Sequence, residues 1–242
     1  MRIDVLTLFP QMFASVFEES IIRRARDRSL VEINISNIRD FSANKHMQVD
    51  DYPYGGGPGM VMKADVVQAA VRHYQTLDSW LICLSPQGKV LDQSTVKQLA
   101  RKTHLILLCG HYEGIDDRVS AMFDEEISIG DYILTGGEIP AMVLTDAVVR
   151  LIPGVLGDER SLEEESFSSS LLEYPQYTRP RIYQGQEVPP VLLSGHHENI
   201  RRWRKKQSLL RTLLKRPELL LQQEFNQEEK ELLSEILFDR ES

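Results

Sequence analysis

Short β-branched and leucine-rich runs alternate with stretches of helical period through about residue 150. The runs at 3–9, 31–35, 80–84, 104–109 and 126–129 predict strands, and 21–28, 63–74, 93–101 and 139–151 predict helices. The second helix sets Val66, Val67, Ala70, Val71 and Tyr74 on one face. Alternation of this kind is the pattern of an α/β domain whose mostly parallel sheet is covered by helices. From Pro153 the pattern stops. Residues 154–170 are rich in glycine and serine and carry five acids against one base, which predicts a linker or mobile loop. The expected organisation is therefore a domain over 1–157, a mobile linker over 158–172 and a small, mainly helical domain over 173–242.

Beyond the prolines at 175, 180, 189 and 190, Ser194 is placed to cap a helix with Ile200, Trp203, Leu210 and Leu213 on its apolar side. The rest of that helix holds Arg201, Arg202, Arg204, Lys205, Lys206, Arg211, Lys215 and Arg216, with no acid among them. The tail from Glu224 reverses sign, with seven acids and two bases, and predicts one more helix built on Leu232, Leu233, Ile236 and Leu237.

The 242 residues carry a formal charge of −8, too acidic for a protein that coats nucleic acid indiscriminately. Charge acts locally, however. The Debye length is about 8 Å at physiological salt, whereas 16 helical residues span about 24 Å. Two readings of the basic helix therefore stand: a solvated face balanced by the acidic tail, or an RNA contact in which Trp203 and Tyr177 interleave with the bases. Apolar residues make up 42% and charged residues 26%, the balance of an ordinary globular chain. Cys83 and Cys109 lie inside apolar runs and read as buried small hydrophobes without metal-ligand spacing. Asp4 near the N-terminus and the lack of any 18-residue apolar stretch lead to an expectation of a cytoplasmic protein.

Candidate chemistry gathers at three strand ends: Leu84-Ser85-Pro86-Gln87-Gly88, Gly110-His111-Tyr112-Glu113-Gly114, and the run from Ile129 to Glu138 before Pro140. Parallel α/β sheets bind ligands at the C-terminal ends of their strands, so three loaded ends in succession predict one crevice. No phosphate-binding loop or dinucleotide fingerprint is present, which speaks against an NTPase or a dehydrogenase. No Ser-His-Asp arrangement is legible either. Glu165, in the acidic segment, and Arg150, at the end of the helix leaving the crevice, could act as general base and charge stabiliser. The segment 44–60, with His46, Asp50 and the glycines from Gly55 to Gly59, reads as a flexible surface loop or as backbone able to approach a ligand closely.

These residues carry a resemblance. Asp50-Asp51-Tyr52-Pro53-Tyr54-Gly55-Gly56-Gly57-Pro58-Gly59-Met60, the three strand ends, Arg150 with Pro153-Gly154-Val155-Leu156-Gly157, and Tyr177-Thr178-Arg179-Pro180 are similar to the bacterial tRNA (guanine-N1)-methyltransferase family, TrmD. So is the run from Ser194-Gly195-His196-His197 through Arg201-Arg202-Trp203-Arg204 to Arg216-Pro217-Glu218-Leu219-Leu220. The resemblance implies a SPOUT-type α/β domain with a deep C-terminal trefoil knot. It implies methyl transfer from S-adenosyl-L-methionine to N1 of the guanosine immediately 3′ of the tRNA anticodon. Leu84, Ser85, Pro86, Gln87, Gly88, Gly110, Tyr112, Glu113, Gly114, Ile129, Gly130, Asp131, Tyr132, Ile133, Leu134, Gly136, Gly137 and Pro140 would line the cofactor pocket. His46, Asp50, Tyr54, Gly55, Gly59, Arg201, Arg202, Trp203, Arg204 and Lys205 would meet tRNA.

In the family an aspartate is the base and an arginine serves the purine oxygen. Here Glu165 stands at the aspartate's position, with Glu164 as the fallback, and Arg150 matches the arginine. The implied partners are the tRNA anticodon stem-loop and a second copy of the chain that shares each active site, with neither DNA nor membrane. The resemblance also carries magnesium, for which the sequence shows no ligand set. The rival from another class is a non-catalytic RNA-binding module on the same scaffold.

Overall fold

A computed structural model describes residues 1–157, 166–167 and 171–238. The chain divides into two compact units, 1–157 and 158–242. In the first, five strands form a wholly parallel sheet: β1 (Arg2–Thr7), β2 (Glu32–Asn37), β5 (Ser79–Val90), β6 (His104–Cys109) and β7 (Glu125–Ser128). Their spatial order is β2-β1-β6-β5-β7. A small antiparallel pair, β3 (Asp50–Asp51) and β4 (Val61–Met62), stands outside that sheet.

Strand side chains alternate between the two faces, so each face builds its own core. On β6, Leu105, Leu107 and Cys109 join one core, and Ile106 and Leu108 join the other. The first core is covered by α1 (Ala14–Phe17), α2 (Ser20–Asp27), α4 (Gln93–Leu99) and α5 (Glu138–Val149), the second by α3 (Ala64–Tyr74). As predicted, α3 buries Val66, Val67, Ala70 and Val71. Asp92 caps α4 by accepting the Thr95 backbone N–H at 2.7 Å, and that bond holds its carboxyl below the usual range.

Asp4 is fully buried in the middle of β1. It is tolerated because Nε2 of His104 lies 2.7 Å from its carboxylate and Nδ2 of Asn34 donates to it at 2.9 Å, with Nε of Arg2 also at 2.9 Å. This cluster sits at the end of the sheet opposite the predicted crevice. A broad groove of about 1120 Å³ opens at the same end, and its Arg2, Arg23 and Arg26 are offset by Glu18, Glu19, Asp27 and Glu32.

The second unit has a short hairpin, β8 (Ile182–Tyr183) and β9 (Gln186–Glu187), followed by α6 (Pro190–Leu193), α7 (His197–Lys215) and α8 (Gln227–Phe238). Its core is Leu171, Leu209, Leu232 and Ile236. Two expectations are corrected here. Ser194 does not cap α7: His196 occupies that position, while the Ser194 hydroxyl donates back to the Val191 carbonyl and accepts from the His196 N–H, fixing the turn after α6. The deepest stripe of α7 is Ser208, Leu209 and Thr212, and Leu210 and Leu213 flank it. Thr212 can be buried because its hydroxyl donates to the Ser208 carbonyl and accepts from the Leu172 N–H. On α8, Leu232 and Ile236 are buried, whereas Leu237 is exposed.

Candidate functional site

At the C-terminal ends of β5, β6 and β7 lies a cavity of about 490 Å³, within the range that holds a cofactor-sized ligand. Leu84 and Lys89 both stand in register with Ile127, so residues 85–88 leave the ladder as an excursion from β5 and form one wall. The loop after β6 forms the second wall, closed by a bond from the Gly114 N–H to the His111 carbonyl. The third wall runs from Ile129 to Gly137. There the Ser128 hydroxyl donates to the Gly130 carbonyl at 3.1 Å, and the Tyr132 hydroxyl donates to the Ile129 carbonyl at 3.2 Å. This third loop returns from β7, past β5, to the end of β6, where the Gly137 N–H donates to the Gly110 carbonyl at 2.8 Å.

That contact explains one glycine. A Cβ on Gly137 would lie 2.7 Å from Cα of Cys109 and 2.9 Å from the Gly110 nitrogen, with backbone on both sides of the clash. Of the 18 residues expected to line a cofactor pocket, all but Gly88 and Asp131 line this cavity. Gly88 is glycine for another reason: a Cβ there would sit 2.4 Å from the backbone of Glu126 and Ile127, so its role is to let β5 cross β7 closely. Asp131 is exposed and lies outside the lining of the cavity.

The cavity also takes in His111, Asp116, Asp117, Glu126, Ser128 and Thr135, which the sequence reading did not name as site residues. His111 was visible inside its segment, but its neighbours in space are tertiary. Its ring lies 4.9 Å from that of Phe9, and its Nδ1 is buried with no hydrogen-bond partner among the described residues. Glu138 is buried at the first turn of α5 and accepts from the Thr7 hydroxyl at 2.8 Å. Cys83 lines the cavity as an inert thiol, since burial pushes its pKa up to about 12. Burial likewise pushes the Cys109 thiol up.

Glu113, Asp116, Asp117 and Glu126 line the walls, and among the described residues no lysine or arginine does. Arg118 bonds to Asp116 and holds that carboxyl down at about 2, so it is ionised at neutral pH. A site with this charge repels phosphates and favours a neutral or cationic ligand.

A flap adjoins the second wall. The β3–β4 hairpin carries Tyr52 to Met60 as its connection, and its base is stitched to the loop after β6 by bonds from the Glu113 N–H to the Met60 carbonyl and from the Met62 N–H to the Gly114 carbonyl. Tyr54 at the tip is 99% exposed, and Gly55, Gly56, Gly57 and Gly59 all have positive φ. Of the first-unit residues expected to meet tRNA, half-buried Asp50 and exposed Tyr54, Gly55 and Gly59 belong to this flap, and His46 is exposed in the segment before it.

Arg150 follows α5 at its C-terminal end. Glu163, Glu164 and Glu165 lie outside the described residues.

The model of the tRNA (guanine-1)-methyltransferase family TrmD matches residues 1–222. The chain belongs to this family. Curated relatives named tRNA (guanine-N(1)-)-methyltransferase include one from Syntrophomonas wolfei, 69% identical over 100% of this chain and 99% of that protein. One from Dictyoglomus turgidum is 58% identical, covering 98% and 96%, and one from Staphylococcus carnosus is 52% identical, covering 96% of each. As a TrmD family member the chain is expected to contact tRNA through Arg201, Arg202, Trp203, Arg204 and Lys205, and the structure puts these on α7 under other obligations. Arg201 bonds to Glu228 at 2.6 and 3.0 Å and to Glu198 at 2.7 Å. Arg202 bonds to Glu235, and Lys205 lies 2.6 Å from Glu229. Arg204 lies over the Tyr174 ring, and Trp203 lies against Tyr177. Of the two readings of the basic helix, the balance against the acidic tail describes its first half.

Proposed function

We propose that this chain transfers a methyl group from S-adenosyl-L-methionine to N1 of the guanosine immediately 3′ of a tRNA anticodon, giving 1-methylguanosine. The observation that carries the reading is the cavity: three backbone turns lined by carboxylates and, among the described residues, by no lysine or arginine, in a chain of the TrmD family. When bound, the donor supplies an electrophilic methyl on a positively charged sulfur, and Glu113, Asp117 and Glu126 in the lining suit that charge, whereas Asp116 is already paired with Arg118. The 16 lining residues named from the resemblance would hold it, with backbone groups of residues 84–87, 110–114 and 129–137 giving orientation.

The N1 of guanine bears a proton at neutral pH, so a base has to accept it as the N–C bond forms. Glu165 takes that role, and Arg150 stabilises the negative charge that develops on O6. The flap from Tyr54 to Gly59 walls the pocket for the flipped-out base. What supports a knotted path is the return of residues 129–137 from the edge strand β7 to the end of β6. What supports a homodimer is the exposed apolar surface formed by Ile139 and Val143 on α5 together with Phe9, Met12 and Val16. Of the segment expected as a linker over 158–172, Leu171 and Leu172 pack into the second unit, so the linker role falls to the residues before them and 171–242 serves as the tRNA-binding part; the enzyme works in the cytoplasm, where its substrate is. No helix among the described residues is long and apolar enough to cross a membrane. Among the described residues no group of His, Cys, Asp or Glu fits the magnesium ion that the resemblance implies. A non-catalytic binder is disfavoured by full-length relatives named as methyltransferases.

The test is transfer from labelled donor to unmodified tRNA transcripts, with the product nucleoside identified. Formation of 1-methylguanosine supports the reading, and a different product or none overturns it. Glu165→Gln is expected to keep donor affinity and to lower turnover at least about 100-fold. Near-normal turnover in that variant would move the base to Glu164 or elsewhere.

A further inference from the structure

The charge pairing on α7 leaves a question of where an RNA partner would find free cations in the second unit. Arg201, Arg202, Lys205 and Lys206 are each engaged by a glutamate of α8. Lys205 is doubly tied, because its partner Glu229 is buried and closes a capping box with Asn226 through two backbone bonds of 2.9 Å. For a phosphate to use these bases it would first have to displace a carboxylate, so little counterion would be released.

The β8–β9 hairpin is the opposite case. Residues 176–187 are exposed without a break, on both faces of the hairpin, although a two-stranded hairpin has little stability of its own in water. Its two-residue turn has positive φ at both Gln184 and Gly185, which fixes the register Ile182 opposite Glu187 and Tyr183 opposite Gln186. Residues directly opposite share a face, and alternate residues along a strand share a face. One face therefore carries Arg181, Tyr183 and Gln186. The segment's one acid, Glu187, lies on the other face with Ile182. Among the described residues neither Arg179 nor Arg181 has an ion pair, and Tyr183 is 64% exposed.

We infer that this acid-free face of the hairpin is an RNA-contacting surface of the second unit: Arg181, with Arg179 beside it, meets backbone phosphate and Tyr183 stacks on an unpaired base. A cation two residues from an exposed aromatic ring, with no acid on the face, is the chemistry that single-stranded and loop RNA recognises. The inference rests on the tRNA-modifying reading above and names the part of this unit that grips the substrate.

The experiment measures binding of an unmodified tRNA transcript to the full chain across a salt series. Donor affinity is measured in parallel. Arg181→Gln is expected to flatten the slope of log K against log salt by about 0.7 to 0.9, as for one lost phosphate contact. Tyr183→Ala is expected to lose at least about fivefold in affinity with the slope unchanged, and Tyr183→Phe to restore it. Lys206→Gln is expected to leave the slope as in the wild type. Unchanged binding in the hairpin variants, or a flattened slope for Lys206→Gln alone, overturns the assignment while the enzymatic reading stands. Weakened self-association in the hairpin variants with tRNA affinity intact overturns it too, in favour of a second copy as the occupant. A wild-type chain that binds donor but no tRNA removes both.

Discussion

The cavity of the first unit and the long helix of the second both advertise themselves as binding features in one dimension, yet they are built in different ways. The cavity is made of backbone. Its three walls are strand ends tied by backbone N–H and C=O bonds, and Gly137 among its glycines sits where two segments of backbone approach too closely for a Cβ. The helix α7 is defined by side chains, and four of its bases are neutralised by an element that follows it in the chain. A backbone site is announced by glycine spacing within a single segment. A side-chain site depends on what packs against it, and α8 lies beyond the residues that the family model matches.

The largest way to test this contrast is to break the side-chain-built unit alone. Leu232 is fully buried in a core of four residues, so Leu232→Ala is expected to destabilise the second unit by about 2 to 5 kcal/mol. Donor affinity should stay as in the wild type, because every described residue that lines the cavity falls between Cys83 and Pro140. Thermal unfolding read beside calorimetric titration of the donor checks both halves. A matched loss of donor binding would mean that the cavity depends on the second unit.

The converse change strikes the backbone site. Gly137→Ala forces a methyl group against the backbone of Cys109 and Gly110, an overpacking expected to cost about 1 to 3 kcal/mol and to open the bond that closes the third wall. Donor affinity should fall at least tenfold, by the order of magnitude that 1.4 kcal/mol represents. Gly56→Ala makes the contrast within the same unit. Nothing lies within 4 Å of a Cβ there, so only the cost of a positive φ remains, about 1 to 2 kcal/mol, and the cavity is untouched. Equal losses of donor binding in the two variants would refute the close-crossing account.

These contrasts bear on what could be seen in advance. The five long strands and the helices over 21–28, 63–74, 93–101 and 139–151 were legible because periodicity is local, and the crevice was legible because its three walls are each a continuous segment. Their boundaries moved little, except that β5 runs on to Val90 after the excursion at 85–88, which pairing with β7 imposes. Gly88 and Asp131, also expected at the pocket, fall outside the cavity's lining for a related reason: a motif reports that a glycine or an acid is present, not which neighbour it meets. The buried His104–Asp4 contact joins residues 100 positions apart and has no signature in sequence. The pairing of Arg202 and Lys206 with Glu235 is of the same sort, a consequence of how α8 docks.

A smaller effect separates the helix from its latch. Asn226 accepts the Glu229 N–H and Glu229 accepts the Asn226 N–H, so Asn226→Ala removes half of the capping box and is expected to cost about 1 kcal/mol. Amide exchange should rise over the first turn of α8 before the rest. Uniform exchange along the helix would show that the cap is not what holds that end.

The smallest effect is the pH response of the latch. Bonding to Arg201 holds the Glu228 carboxyl below its ordinary value of 4.5, and bonding to Lys206, with Arg202 nearby, does the same for Glu235. A carboxylate whose folded pKa is depressed stabilises the fold fully above the unfolded value, and its contribution is lost as pH falls through the folded value. Stability from this latch should therefore be flat from neutrality down to about the ordinary glutamate value of 4.5 and decline below it. Both carboxylates are half-buried and still reached by water, so the decline is modest and shrinks in high salt. Amide exchange of α8 followed between pH 6 and pH 3 at two salt concentrations reads it directly, and Glu235→Gln should remove part of the slope. A helix whose protection does not change across that window would mean that Leu232 and Ile236 alone hold α8. The bases of α7 would then be free to meet an anion after all.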